Sequence, residues 1–184
     1  MIVMATDLHG VSDELRQQCE SMTHQPIIWL SPWDTALNPY ADEKTAHAVF
    51  LEQDGFTAYA DKIRATMVQQ GEKVTDLLGF SVGATAAWLY ASDEPVPQDL
   101  RVWQFYGSSI RDYLDRQPRC RVQTIWAEHE PSFNPMELSA QLRACGISAE
   151  LVSGAAHGFM NPNSAAYSEQ LLHVYLRTIA QTNS

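Results

Sequence analysis

VTDLLGFSVGATAAWLY, residues 74–90, is the stretch that decides the fold of this chain. Its first half is an apolar run typical of a buried β-strand, and its second half is an alanine-rich stretch typical of a helix. Between the two, Gly79-Phe80-Ser81-Val82-Gly83 matches the pattern Gly-x-Ser-x-Gly. A strand, a glycine-flanked turn and a helix form the setting in which a serine is held out over the end of a sheet, where it can act as a nucleophile.

Apolar β-type runs alternate with helical patterns on both sides of this turn. We predict strands over 2–5, 27–30, 74–80, 100–105, 122–127 and 147–152. We predict helices over 13–22, around 56–70, over 83–90, after the Asn134-Pro135 start signal, and around the apolar positions Tyr167, Leu171, Val174, Tyr175 and Ile179. Residues 31–54 hold two prolines and are predicted to form a long loop with a single helical turn.

Helix-length segments between strands imply right-handed crossovers, a mainly parallel sheet and helices on both faces. We therefore predict an α/β fold with a mainly parallel sheet of about six strands, with residues 1–184 as one domain. Ligands of such sheets bind beyond the carboxyl ends of the strands. The polar residues that follow predicted strands are expected along that edge; they are Asp7, Ser81, Tyr106, Glu130 and His157.

Charge and composition exclude several classes of function. The net charge of −10 and the lack of a Lys/Arg cluster argue against nucleic acid and anionic membrane surfaces as partners. No apolar run approaches the roughly 18 residues of a membrane span, and no signal peptide is recognisable. The three cysteines form no Cys-x-x-Cys pair, so free thiols and a cytoplasmic location are expected. The short sheet leaves an edge that a homodimer would cover.

A serine nucleophile needs a base and a group that orients the base. A histidine supplies a pKa near 6.5, and His157, which follows the last predicted strand, has the chain position of a hydrolase base. The orienting acid is expected between Ser81 and His157 in the chain. Glu130 is preferred because it lies deeper in the loop after the fifth strand, and Glu128 is the alternative.

These segments resemble the dienelactone hydrolase family of α/β-hydrolases. The segments that carry the resemblance are DLHG at 7–10, GFSVG at 79–83, FYG at 105–107 and GAAHGFMN at 154–161. The resemblance implies a minimal α/β-hydrolase fold, because the chain begins at what corresponds to the family's third strand. It also implies an oxyanion hole formed by the backbone amides of Leu8 and Val82.

The chain departs from the family pattern at three positions. Ser81 stands where the namesake enzyme has a cysteine, Glu130 where it has an aspartate, and His9 where a phenylalanine is usual. No counterpart is identified for the arginine by which the namesake enzyme binds its substrate's carboxylate. The serine favours esterase-type chemistry over activity on dienelactone itself.

The sequence therefore predicts a serine hydrolase that cleaves a small neutral ester or lactone through an acyl-enzyme intermediate. No metal or organic cofactor is needed for this chemistry. A substrate pocket is expected around Asp7, His9, Trp33, Tyr106 and Phe159. The alternative is a hydrolase-fold protein that does not catalyse and binds a small ligand or a protein partner. The glutamate acid, His9 and the missing opening strands favour that alternative, and the intact serine and histidine loops oppose it.

Overall fold

The computed structural model describes residues 1–93 and 95–181. Within these ranges the strands β1 Ile2–Ala5, β2 Ile27–Leu30, β3 Asp76–Phe80, β4 Arg101–Phe105, β5 Arg121–His129 and β6 Ser148–Ala156 form one sheet. The strands lie in the order β2-β1-β3-β4-β5-β6, and each neighbouring pair is parallel. The predicted α/β class and the parallel sheet are confirmed.

Helices cover both faces of the sheet. They are α1 Asp13–Met22, α2 Glu43–Glu52, α3 Gly55–Gln70, α4 Val82–Ser92, α5 Pro135–Ala144 and α6 Glu169–Gln181. Side chains alternate between the two faces of a strand, so Val3 of β1 joins the core cluster of α2 to α5, and Met4 joins that of α1 and α6. Each layer buries its apolar side chains against the sheet.

The helix α2 corrects the expectation of a long loop over residues 31–54. Asp42 caps this helix, because its carboxylate accepts hydrogen bonds from the Thr45 amide at 2.8 Å and from the Thr45 hydroxyl at 2.9 Å. Ala46 and Phe50, four residues apart, lie on one face and are buried. Two buried positions in ten residues give too weak a period to predict the helix from sequence.

Several element ends differ from the sequence prediction. The strand β5 runs to His129 and β6 to Ala156, so both are longer than predicted and Glu128 lies inside a strand. Tyr167 lies before α6, and Val174 is half-exposed although it was expected on the buried face. The longer strands place residues 130 and 157 directly beyond the carboxyl end of the sheet, side by side.

The edges of the sheet are β2 and β6. Dimerisation through such an edge stays a prediction. Within the described ranges, no helix combines the length and the apolar character needed to cross a lipid bilayer.

Candidate active site

The turn between β3 and α4 holds Ser81 in a strained backbone conformation. Ser81 has φ 51° and ψ −113°, a region that residues with a side chain rarely adopt. A Cβ atom at Gly79 would lie 2.6 Å from the Cα of Ala84, and one at Gly83 would lie 2.2 Å from the carbonyl oxygen of Ala5. Both glycines of the motif are therefore required by close backbone approaches, and they let the turn hold Ser81 out from the sheet.

Three side chains lie in a row beyond the sheet. The Ser81 Oγ lies 3.1 Å from Nε2 of His157, and Nδ1 of His157 lies 2.7 Å from Oε2 of Glu130. The Glu130 side chain is fully buried, whereas the His157 side chain is partly exposed. A carboxylate accepts hydrogen bonds, so Nδ1 carries the ring proton of the neutral imidazole. Nε2 is then free to accept the proton of the Ser81 hydroxyl.

Glu128, the alternative acid, lies elsewhere. Its carboxylate accepts hydrogen bonds from the Gly154 amide at 2.6 Å and from the Ser153 hydroxyl at 3.1 Å. The Gly154 amide and then the Ser153 hydroxyl lower the pKa of Glu128 below its ordinary value. Glu128 is exposed and tied to β6, and the structure brings Glu130 rather than Glu128 to the ring of His157.

Two backbone amides lie beside Ser81. Val82 is the first residue of α4, where amides lack an intrahelical acceptor and the helix dipole favours negative charge. Leu8 lies in the turn after β1, and both residues line a cavity together with Ser81 and His157. Neither amide has a backbone acceptor among the residues that the structure describes. Their service as an oxyanion hole stays a prediction.

A buried polar pair ties the turn of Leu8 to the histidine loop. Asn161 donates hydrogen bonds from Nδ2 to both carboxylate oxygens of Asp7, at 2.8 and 2.7 Å. Asp7 also accepts from the His9 amide at 3.0 Å. Burial raises the pKa of the Asp7 carboxyl, against the opposing effects of His9 and Asn161. Sequence analysis gave Asn161 no role, although it lies in the quoted histidine loop.

Three aromatic residues expected around the pocket lie behind its walls in the structure, and their part in substrate binding stays a prediction. Trp33, Tyr106 and Phe159 are buried and line neither cavity at Ser81. The Trp33 indole donates to the Leu8 carbonyl at 2.8 Å. The Tyr106 ring packs against the ring of His157, with centroids 4.9 Å apart, and Phe159 packs against Tyr106. The three rings therefore pack in the core beside the cavities and not on the cavity walls.

Ser81 and His157 lie where two cavities meet. The first cavity, of about 170 Å³, is bounded by α2, α4 and the segment after β4. The second cavity, of about 240 Å³, is bounded by the Leu8 turn with Asp7 and His9 and by residues 163–166. Glu43 of α2 lines both, and sequence analysis missed it because α2 was not predicted. In the described part of the chain, no group of three or more His, Cys, Asp or Glu side chains could hold a metal ion.

A family model supports the resemblance suggested by the motifs. The model of the dienelactone hydrolase family matches residues 36–179, which is most of the chain. The chain belongs to the dienelactone hydrolase family. Family membership supports hydrolase activity and a small-molecule substrate for this chain.

This member of the dienelactone hydrolase family is similar to a known protein in sequence and to solved structures in fold. The uncharacterized protein YczH of Bacillus subtilis (strain 168) is 28% identical over 184 residues, which cover 97% of this chain and 90% of YczH. A structure from Klebsiella pneumoniae subsp. pneumoniae MGH 78578, provisionally described as a dienelactone hydrolase, matches with a TM-score of 0.65 and 16% identity, covering 99% of this chain and 83% of that chain. A thermophilic esterase of Thermogutta terrifontis matches with a TM-score of 0.54 and 14% identity, covering 99% and 82%. The two structural likenesses show the α/β-hydrolase fold.

Proposed function

We propose that this protein is a serine hydrolase that cleaves small uncharged carboxylic esters or lactones through an acyl-enzyme intermediate. The proposal rests on one observation, the continuous row from the Ser81 hydroxyl through the His157 ring to the Glu130 carboxylate, with separations of 3.1 and 2.7 Å. Covalent catalysis has a geometric signature. The nucleophile lies within hydrogen-bond reach of its base, and a third group, hydrogen-bonded to the base, fixes the orientation of that base. Family membership supports the same conclusion at the level of hydrolase activity.

The first half of the reaction forms the acyl-enzyme. As the Ser81 oxygen attacks the carbonyl carbon, His157 takes the hydroxyl proton at Nε2 and Glu130 stabilises the charged ring. The Leu8 and Val82 amides donate to the oxyanion. The carbon–oxygen bond to the leaving group then breaks, and His157 returns the proton to that oxygen. General-base action contributes about 10²–10⁴-fold, and one oxyanion donor about 10²–10³-fold.

The second half of the reaction releases the acid. A water molecule loses a proton to Nε2 of His157 and attacks the acyl carbon, and the bond between that carbon and the Ser81 oxygen breaks. The proton held by His157 returns to Ser81. The balance of atoms and charges is complete with the substrate, water and these side chains, so the proposed steps require no metal or organic cofactor.

The charges of the site support an uncharged substrate. Among the described residues, no lysine or arginine lines either cavity, whereas Glu43 lines both and Asp7 lines the second. A carboxylate on the substrate would therefore meet no ammonium or guanidinium group in either cavity. The Thermogutta terrifontis esterase neighbour was solved with propionate bound, and a short acyl group of that size is also compatible with a cavity of about 170 Å³.

The test uses p-nitrophenyl acetate and a fluorophosphonate probe. We expect turnover of the ester and covalent labelling of Ser81, and we expect both to disappear in Ser81→Ala. Ser92→Ala is the matched control, because Ser92 lies at the far end of α4 and bonds the Trp88 carbonyl. Wild-type rates in the Ser81→Ala protein, or no labelling of the wild type between pH 6 and 9, would overturn the proposal. The absence of labelling would favour the non-catalytic alternative.

A further inference from the structure

The hydroxyl of Thr85 is buried in the wall of the first cavity without a partner. Thr85 is 1% exposed, and its Oγ1 has no hydrogen-bond partner among the residues that the structure describes. A helical threonine often bonds the carbonyl four residues back, which here is that of Ser81. That carbonyl already accepts the amides of Ala84 and Thr85. Because buried hydroxyls are normally paired, this one points to a partner supplied by a ligand.

The first cavity relates this hydroxyl to the proposed nucleophile, because Ser81 and Thr85 both line it. Ser81 is the non-helical residue directly before α4, and Thr85 lies in the first turn of that helix, about 6 Å further along its axis. An acyl group attached to Ser81 begins at its carbonyl carbon. A substituent on the third carbon of that group, two bonds further on, spans the remaining distance to Thr85.

The rest of the first cavity suits an uncharged group that forms hydrogen bonds. Hydroxyl-bearing residues line it, namely Ser108, Ser109 and Ser132. The charged or titratable side chains that line it are Glu43, His47 and His157. The Arg111 guanidinium is held outside the cavity wall, because it donates to the Ser108 carbonyl at 2.6 Å and lies over the Phe133 ring.

We propose that the first cavity recognises a short, uncharged acyl group with a hydroxyl on its third carbon, and that Thr85 is the specificity-determining partner of that hydroxyl. This inference rests on the proposed function, since it places the acyl carbon on Ser81. It adds a substrate class, the 3-hydroxyacyl esters, to the reaction proposed above.

The test compares two p-nitrophenyl esters of the same shape. The 3-hydroxybutanoate, with each enantiomer taken separately, and the 3-methylbutanoate differ by a hydroxyl in place of a methyl group. The measured quantity is the ratio of their kcat/KM values in the wild type and in Thr85→Val, which keeps the shape of the side chain. The two esters differ in intrinsic reactivity, but this difference affects the kcat/KM ratio equally in both proteins and cancels when the two ratios are compared. We expect the ratio for one enantiomer to fall about fivefold to tenfold in Thr85→Val, as for one neutral hydrogen bond.

The control is Thr178→Val on α6, whose hydroxyl bonds the Val174 carbonyl on the other face of the sheet. Its ratio should equal that of the wild type. Equal ratios in wild type and Thr85→Val, with both proteins turning over the esters, would overturn the acyl-group assignment and leave the proposed function standing.

A second measurement separates the cavity from the nucleophile. Ser81→Ala should bind the intact 3-hydroxybutanoate more tightly than the 3-methylbutanoate in ligand-observed NMR, and Ser81→Ala/Thr85→Val should lose that preference. If no ester is turned over and Ser81 is not labelled, the proposed function fails. The binding comparison then decides by itself whether the first cavity recognises the 3-hydroxyacyl group. A preference that Thr85→Val removes supports recognition by the cavity, and equal binding of the two esters overturns it.

Discussion

The Glu130 carboxylate lies 2.7 Å from Nδ1 of His157, and the Glu130 side chain is fully buried. The family resemblance assigns an aspartate to this place, and the longer glutamate still reaches the distance of a strong charge-assisted hydrogen bond. The second oxygen, Oε1, is also buried and has no partner among the described residues. Within residues 1–93 and 95–181, the contact with His157 is thus the one hydrogen bond of this carboxylate.

Replacing Glu130 by glutamine should reduce the esterase activity strongly. The amide no longer stabilises the imidazolium or fixes the tautomer, so we expect kcat to fall on the order of 10⁴-fold, as when the acid of a serine triad becomes an amide. The matched control is Glu128→Gln, which removes a charge two residues away on the exposed part of β5 and should change kcat less than twofold. Steady-state kinetics on p-nitrophenyl acetate measures both. A larger loss in Glu128→Gln than in Glu130→Gln would reverse the assignment.

Gly83→Ala should destabilise the fold more than Gly146→Ala. A Cβ atom at Gly83 would lie 2.2 Å from the Ala5 carbonyl oxygen, and neither backbone has room to move in the core. We expect a loss of about 3 kcal/mol or more in the free energy of unfolding. Gly146 has φ +81° but open space around it, so alanine there should cost about 1–2 kcal/mol of backbone strain. Urea unfolding followed by tryptophan fluorescence gives both values, and equal losses would contradict the close approach.

The helix α2 should depend on Phe50 for its attachment. Phe50 is 2% exposed and packs edge-on against Phe56, with ring centroids 5.0 Å apart. Phe50→Ala should cost about 3–5 kcal/mol of unfolding free energy. The neighbouring Leu51 is 48% exposed, and Leu51→Ala should cost about 0.5 kcal/mol or less. Similar losses at the two positions would contradict the orientation of α2.

The buried thiol of Cys19 should make stability fall in alkali. Burial raises its pKa from 9.0 to about 12 in the folded protein, so the folded state holds the proton more tightly than the unfolded state. The buried, protonated thiol therefore contributes fully to the free energy of unfolding below pH 9. This contribution is lost as the pH rises towards 12. The stability difference between wild type and Cys19→Ala should therefore be about 2 kcal/mol smaller at pH 10.5 than at pH 8.

The control for this pH effect is Cys145→Ala, because Cys145 is exposed. The stability difference between this variant and the wild type should be the same at both pH values. Urea unfolding at pH 8 and pH 10.5 provides all the values. An unchanged difference for Cys19→Ala would show that burial does not hold this thiol protonated.

The sequence predicts the strands and the chemical groups well because both have local signals. Buried parallel strands appear in the sequence as short apolar runs. The Ser81 turn and the His157 loop carry motifs that identify the candidate nucleophile and base directly. No local sequence signal distinguishes Glu128 from Glu130 as the orienting acid. It depends on β5 ending at His129, which sets residue 128 against β6 and residue 130 against the ring of His157.

The walls of the site could not be predicted, because they depend on packing between distant segments. Trp33 and Phe159 are aromatic residues near functional loops, and only the three-dimensional structure shows that their rings turn into the core. Glu43 reaches the site because α2 folds across the sheet end, and the helix itself had a weak pattern. The pairing of Asp7 with Asn161 joins residues 154 positions apart, which no single-sequence pattern reveals.

The turn that carries the Leu8 amide is held from outside by Trp33. Its indole Nε1 donates to the Leu8 carbonyl at 2.8 Å, and its ring packs against Tyr40 and Phe50 with centroids 5.2 and 6.2 Å away. Phenylalanine at this position keeps most of the packing and removes the donor. Trp33 is therefore a positioning residue for the proposed oxyanion hole.

Trp33→Phe should lower kcat for p-nitrophenyl acetate about tenfold with KM nearly unchanged, a smaller loss than the roughly 10²–10³-fold cost of removing an oxyanion donor outright. The Leu8 turn keeps its bonds to Asp7, so the donor is loosened rather than lost. Trp29→Phe is the control, because that indole bonds the exposed Glu20 carboxylate at 3.3 Å, away from the site, and its kcat should equal that of the wild type. A rise in KM at constant kcat in Trp33→Phe would mean that Trp33 serves substrate binding, as the sequence first suggested, and not the stabilisation of the oxyanion.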